Sequence, residues 1–384
     1  MTHVALGETA RFVNGAAFKP QDWSSDGLPI IRIQNLTGTG ERFNFTQRKV
    51  KPELVVEPGD LLVSWSATLD TYRWSGPRGV LNQHIFKVLP NPGVDPDYLY
   101  YALKSSLAEL SAKTHGSTMK HVVRGDFEST RIRLPALGEQ RRIVYLLARA
   151  EGIVRLRREA QQKAEELIPA IFINMFGDPA TNPKRWPVAP LGELLTSIDS
   201  GYSPKCHGRH RGQHEWGVLR LGAVSRCEYD EDEHKTLPND LVADPSIEVR
   251  SGDLLLSRKN TSELVGASAY VWATAGRILL PDLIFRLRLQ DATPVHPIYL
   301  WKLLTTDAKR RALTRLATGS AGSMPNISKE RLRALPIEVP ARGLQVKFAG
   351  HVNEVRSIAL QQRAALKRSE AVFGALLADA FPGV

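Results

Sequence analysis

Between Glu139 and Gly177, apolar residues recur at Leu147, Ala150, Val154, Ala164, Ile168 and Ile171, close to the alternating three-and-four spacing of a coiled-coil seam. Charged residues fill the other faces, among them Arg149, Glu159, Lys163 and Glu165, and Arg157 and Gln161 fall on the seam itself. The pattern predicts one long helix of on the order of 55 Å. Pro169 is expected to kink it or to split off its last two turns, and Gly177-Asp178-Pro179 to stop it. The same layout returns from Leu344 to Phe381, with Val352, Val355, Ala359, Leu366, Phe373 and Leu376 on the seam. A constant shift of 205 positions aligns Met119 with Met324, Ile132 with Ile337, Pro135 with Pro340, Gln140 with Gln345 and Phe176 with Phe381 without a gap. The match runs upstream into non-helical sequence, which marks a duplication rather than two unrelated amphipathic helices.

The regions before the two helices carry the same marks in the same order. Leu6-Gly7-Glu8 matches Leu191-Gly192-Glu193, and Ile31-Arg32-Ile33, the end of the strand-like run from Leu28, matches Leu219-Arg220-Leu221. Gly59-Asp60-Leu61-Leu62-Val63-Ser64 matches Gly252-Asp253-Leu254-Leu255-Leu256-Ser257, a turn feeding a buried strand. Ile85-Phe86-Lys87 matches Ile284-Phe285-Arg286, and the helix starts at Pro96 and Pro297 match each other. The frameworks agree while the loops differ in length and chemistry, as in two scaffolds that present different binding loops. The expected fold is mixed α/β: similar domains over residues 1–138 and 178–342, long helices over 139–177 and 343–384, an antiparallel helical pair and an approximate internal twofold.

The 384 residues carry a formal net charge of +11, which points to a polyanionic partner, nucleic acid first. Two cysteines in a chain of this length exclude a disulfide scaffold and fit a reducing, cytoplasmic setting. The first residues show no basic segment followed by an apolar run, so no signal peptide is expected. No stretch approaches about 18 apolar residues, so no transmembrane helix is expected.

These residues resemble the specificity subunit of a type I restriction–modification system. The resemblance covers essentially the whole chain. It rests on the two Leu-Gly-Glu openings, the two Gly-Asp-Leu-Leu turns, the Pro-x-Tyr-Leu helices, the spacings Pro135 to Gln140 and Pro340 to Gln345, and Met175-Phe176-Gly177-Asp178-Pro179 before Trp186. One departure is Leu344, which stands where the first copy has Glu139. The resemblance implies a non-catalytic DNA-recognition subunit in which each domain reads one half of a split target and the helices fix the gap. It implies two methyltransferase subunits as partners, with S-adenosylmethionine bound there and adenine methylated. It also implies ATP and Mg on a restriction subunit where one is present, and no cofactor on this chain. The other readings are a DNA-binding protein without catalytic partners, such as a repressor or orphan subunit, and a standalone DNA-modifying enzyme.

Asn91-Pro92-Gly93 and Asn182-Pro183-Lys184 are not the Asn-Pro-Pro-aromatic loop a methyltransferase needs for a flipped base. Gly38-Thr39-Gly40 is not a dinucleotide loop, and there is no Gly-x4-Gly-Lys-Ser/Thr. Cys206, His207, His210, His214 and Cys227 have zinc-ligand chemistry but match no standard spacing, and a basic loop facing solvent or DNA is the expectation there. The candidate DNA-reading residues are Lys19, Gln34, Asn35, Ser66, Thr68, Tyr72, Arg73, Lys120 and His121 in the first half. In the second they are Lys205, Arg209, Arg211, Arg258, Lys259, Asn260, Thr261 and Ser323. Arg, Asn and Gln can pair bidentately with base edges, while Lys and Ser mostly hold phosphates. Trp65, Trp74 and Trp272 are expected in the core. Gln140, Arg141, Arg142, Arg155, Arg158, Phe176, Gln345 and Phe381 are assigned to a partner surface along the helices.

Overall fold

The computed structural model describes residues 3–382 apart from 41, 67, 114–123, 292 and 320–323. It divides into two compact units, residues 1–160 with 362–384, and residues 161–361. The long helices are Leu137–Phe176 and Arg342–Ala380, so each unit holds one half of each.

In the first unit, an antiparallel sheet has the strand order Ala10–Asn14, Ile85–Pro90, Leu61–Ser64, Asp70–Arg73. A second sheet joins Asn44–Thr46, Leu28–Ile31, Gly79–Leu81 and Val55–Val56, with its middle pair parallel. The second unit repeats the first sheet as Leu195–Ser200, Ile284–Leu289, Leu254–Ser257, Ser268–Tyr270. Its other sheet has Gly217–Leu219 between His234–Thr236 and Ile278–Leu279, again with one parallel pair. The registers coincide: Leu62 faces Lys87 and Ser64 faces Ile85, while Leu255 faces Arg286 and Ser257 faces Ile284. The alignment made on residue identity is therefore also an alignment of hydrogen-bonded pairs.

Each framework pair has the same function in both copies. Lys87 Nζ lies 2.6 Å from Asp60 and 2.8 Å from the Val55 carbonyl. Arg286, almost fully buried, meets Asp253 at 3.3 Å, Asp199 at 3.1 Å and the Glu248 carbonyl at 2.8 Å. Both aspartates close the turn before the buried strand, through the Glu57 N–H at 2.7 Å and the Arg250 N–H at 2.9 Å. The turn glycines, Gly59 and Gly252, have φ of 96° and 95°, which an L side chain resists. The buried Arg286 is tolerable because each of its nitrogens meets a charge or a carbonyl.

The long helices are packed by their predicted seams. Leu147, Ala150, Val154 and Ala164 are buried, and Arg157 on the seam donates to Gln362 at 2.8 Å. The helix is continuous through Pro169, so its last two turns are not split off. Phe172 and Phe176, one and two turns beyond the proline, are anchored in the core of the second unit, which holds that end in place. Gly177 has φ of 82°, and Lys184 Nζ caps the carbonyls of Asn174 and Met175 at 3.1 and 2.8 Å, giving the expected stop. The strand expected over Leu28 to Ile33 ends at Ile31, because Asn35 Oδ1 accepts the Arg32 N–H at 3.0 Å and starts a short helix, Ile33–Thr37.

Gln140 and Gln345 are corrections. The sequence places both on a partner surface, yet they are 1% and 0% exposed. Gln140 accepts the Asp95 N–H at 2.8 Å and donates to the Gly93 and Pro135 carbonyls at 3.1 and 2.8 Å. Gln345 accepts the His296 N–H at 2.8 Å and donates to the Pro294 and Pro340 carbonyls at 3.0 and 2.6 Å. Each strap ties the start of a long helix to the loop that opens the Pro-x-Tyr helix. Phe176 and Phe381 are corrected likewise. Phe176 packs 4.7 Å from Tyr299 in the second unit, and Phe381 packs 5.2 Å from Tyr98 in the first.

The straps differ in the residue they hold. Asp95 Oδ1 caps the Asp97 and Tyr98 N–H groups, whereas His296 Nδ1 caps Ile298 at 3.2 Å. Burial, with the Arg342 guanidinium nearby, keeps the imidazole below its ordinary value of 6.5. The unfolded chain then binds a proton that the folded one resists, so the second unit loses stability as the pH falls below about 6.5. His296→Asp should flatten this dependence, read as hydrogen exchange of the helix Pro297–Leu304 against pH. An unchanged pH profile would show that the His296 cap does not set it.

Candidate nucleic-acid interface

The loop that leaves the central buried strand is the place where the two units share a scaffold and diverge in chemistry. The strands end at Ser64 and Ser257. One residue later, the Trp65 N–H donates to the His84 carbonyl at 3.3 Å, and the Arg258 N–H donates to the Leu283 carbonyl at 2.9 Å. Both side chains lie over the phenylalanine of the neighbouring strand. Trp65 stacks 5.8 Å from Phe86, and the Arg258 guanidinium sits 5.3 Å from the Phe285 centroid. Each ring also carries a cation from the first residue of a short helix, Arg124 at 5.7 Å and Lys329 at 5.8 Å.

The candidate residues separate into committed and available groups. Asn35 is occupied by the Arg32 N–H and by the Gly40 carbonyl at 2.9 Å. Arg73 pairs with Asp97 at 2.8 Å and lies 3.9 Å over the Tyr100 ring. Ser66 is buried, and Tyr72 is half-buried against Trp74 and its neighbours, with its phenol pushed up by burial. Asn260 is 5% exposed and bonded to Ser225 and Ser257 at 3.3 and 3.4 Å. Arg211 reaches the Gly276 carbonyl at 3.0 Å and Glu231 at 3.3 Å. Arg209 forms a two-pronged pair with Glu215 at 2.6 Å, which holds that carboxyl down at about 2. Asn260 is thereby enclosed in the scaffold, a correction to its assignment as a reader, while Asn35, Arg73 and Arg211 make contacts within their own units.

Lys19, Gln34, Thr68, Lys205 and Thr261 are exposed, and Arg258 and Lys259 are half-buried. Lys120, His121 and Ser323 lie outside the described residues. Trp74 is core as expected, while Trp65 and Trp272 are only half-buried. Among the described residues no cluster of His, Cys, Asp and Glu is arranged to hold a metal ion; the His210 ring instead meets His234 at 5.1 Å. Also among them, no helix is long and apolar enough to cross a membrane.

Arg141, Arg142, Arg155 and Arg158 are exposed on the long helix. Arg155 pairs with Glu159 at 2.9 Å and Arg158 with Glu370 at 2.7 Å, surface pairs of small energetic weight. Beside them Leu146, Ile153 and Leu156 are 45%, 50% and 57% exposed.

The duplicated scaffolds and the long helices have counterparts among known proteins. Residues 1–166 match the family model described as the type I restriction modification DNA specificity domain. The specificity subunit of the type I restriction enzyme EcoEI of Escherichia coli is 30% identical over 218 residues, 56% of this chain and 36% of that protein. The MjaVIII specificity subunit of Methanocaldococcus jannaschii is 27% identical over 279 residues, 66% of this chain and 62% of that protein. The chain thus spans between about a third and two thirds of the length of these relatives. Among solved structures, the S subunit of a type I restriction–modification system from M. genitalium aligns with a TM-score of 0.58 at 14% identity, covering 100% of this chain and 96% of that one. A chain from a structure of complex assembly and conformational transition of the type I R-M system aligns with a TM-score of 0.59 at 18% identity, covering 100% and 97%. The resemblance read from the motifs holds, and the mixed α/β fold with long helices is that of these subunits.

Proposed function

We propose that this chain is the DNA sequence-specificity subunit of a type I restriction–modification complex. The domains at 1–138 and 178–342 each read one block of a bipartite target, and the helices at 139–177 and 343–384 set the gap between the blocks. The observation that carries this is the repetition of one scaffold, register for register, with different chemistry on its loops. Two different readers on one chain contact two different blocks of duplex DNA, as half-site spacing follows protein architecture in other DNA-binding folds. The net charge of +11 supplies the sequence-independent attraction to phosphates.

The chain itself is non-catalytic in this reading. The methyltransferase partners bring S-adenosylmethionine, and a restriction subunit, where present, brings ATP and Mg. The exposed Leu146, Ile153 and Leu156, flanked by arginines, support a docking surface for those partners along the helix.

Exchange of residues 1–138 for the matching domain of a related protein tests the assignment. Mapping of methylated adenines should show one block of the target replaced and the other intact. Simultaneous change of both blocks would contradict independent reading by the two domains.

A further inference from the structure

Arg258 is held in a way that its neighbours in the same loop are not. Its Nε donates to Asn326 Oδ1 at 3.0 Å, and its guanidinium lies over the Phe285 ring. Asn326 is itself fixed by two backbone bonds of 2.9 Å to Thr318, and the Ile327 N–H donates to the Arg258 carbonyl at 2.9 Å. These contacts fix the plane and direction of the guanidinium. Its two terminal nitrogens have no hydrogen-bond or ion-pair partner among the described residues. Arg209 and Arg286, by contrast, have both terminal nitrogens committed to carboxylates or carbonyls, and Arg73 and Arg211 each have one so committed.

A guanidinium oriented through Nε and stacked on a ring presents its remaining four N–H donors as a planar fork. That fork fits a pair of coplanar acceptors. In duplex DNA the matching base edge is guanine, which offers O6 and N7 in the major groove. A phosphate can accept the same fork but carries no sequence information; a base edge is favoured here because position 258 lies in the loop where the two matching scaffolds diverge in chemistry.

The first unit makes the contrast. At the same register position, over the equivalent Phe86, stands Trp65, whose single indole N–H points to Asn14 Oδ1 at 3.4 Å. An indole cannot form the fork. The residue one step past the buried strand thus differs in recognition chemistry between two otherwise matching scaffolds.

We propose that Arg258 reads a guanine in the DNA block contacted by the second domain, and that positions 65 and 258 are the equivalent specificity-determining positions of the two readers. The proposal rests on the function proposed above. Its test uses the full chain assembled with type I methyltransferase subunits and selection from a randomised duplex library. The wild-type complex should select two blocks, with a guanine in the second domain's block. R258Q should lose preference at that one position by about 10- to 100-fold and leave every other position of both blocks unchanged. R258K, which keeps the charge and loses the fork, should lose the same preference. A uniform weakening over all sequences, whether or not R258K restores it, would make Arg258 a phosphate contact and overturn the proposal. So would an unchanged motif in both variants. Failure of the wild-type complex to select any two-block target would instead overturn the underlying function.

Discussion

Phe381→Ala should destabilise the first unit by about 3–5 kcal/mol, the usual cost of removing a buried phenylalanine from a packed core. The residue sits one position past the second long helix, yet its ring is 1% exposed among Leu6, Tyr98, Phe127 and Ile132 of the first unit. Tyr98 packs against it at 5.2 Å and donates its hydroxyl to the Arg133 carbonyl. Truncation to alanine leaves a cavity bounded by these rigid groups, which cannot collapse without breaking that hydrogen bond. A single domain is stable by only about 5–15 kcal/mol, so the loss is a large share of the total. Because the chain has two units, hydrogen exchange resolved along the sequence is the right measurement, rather than one global melting curve. Amides of the strands Leu61–Ser64 and Ile85–Pro90 should lose protection while those of Leu254–Ser257 keep it. Phe176→Ala should give the reverse pattern, since its ring packs on Phe348 and Tyr299 in the second unit. Equal loss in both units from either variant would contradict the assignment of each helix end to one core.

Much of the fold was legible in the chain itself, for reasons that particular residues show. The long helices followed from the spacing of Leu147, Ala150 and Val154, because a seam must be apolar wherever it is covered. The duplication aligned Lys87 with Arg286, and the strand pairing then puts both on the same rung, where they neutralise equivalent aspartates. Gln140 and Gln345 were visible as a matched pair, but their role was not. A glutamine at the start of a long amphipathic helix looks the same whether it faces a partner or straps a buried loop, and only the neighbouring carbonyls of Gly93 and Pro294 decide it.

The candidate site was less legible for a related reason. Arg73, Arg209, Arg211 and Arg258 are equivalent as letters in basic, polar loops. Their fates are set by partners far away in sequence: Asp97 for Arg73, Glu231 and Gly276 for Arg211, Asn326 for Arg258. Asn260 likewise looked available to a base edge and is instead enclosed by Ser225 and Ser257. The mark that singles out position 258 is its shared register with Trp65, and that could be read only after the strand pairing was known.

The helices acting as a ruler is the central claim, and lengthening them should widen the recognised gap. Arg157 and Gln362 hydrogen-bond to one another across the helical pair at 2.8 Å, so insertions after these two residues extend both helices at one level. One heptad adds about 10 Å and two turns less about 20°, which keeps the apolar seam facing its partner. The cores of the two units do not include the insertion points, so both readers stay folded and keep their contacts. The most direct measurement is the map of methylated adenines made by the complex carrying both insertions. The account predicts a target with both recognised blocks unchanged and a longer gap between them. An unchanged gap in a folded, active complex would contradict it and leave the helices as a docking platform alone.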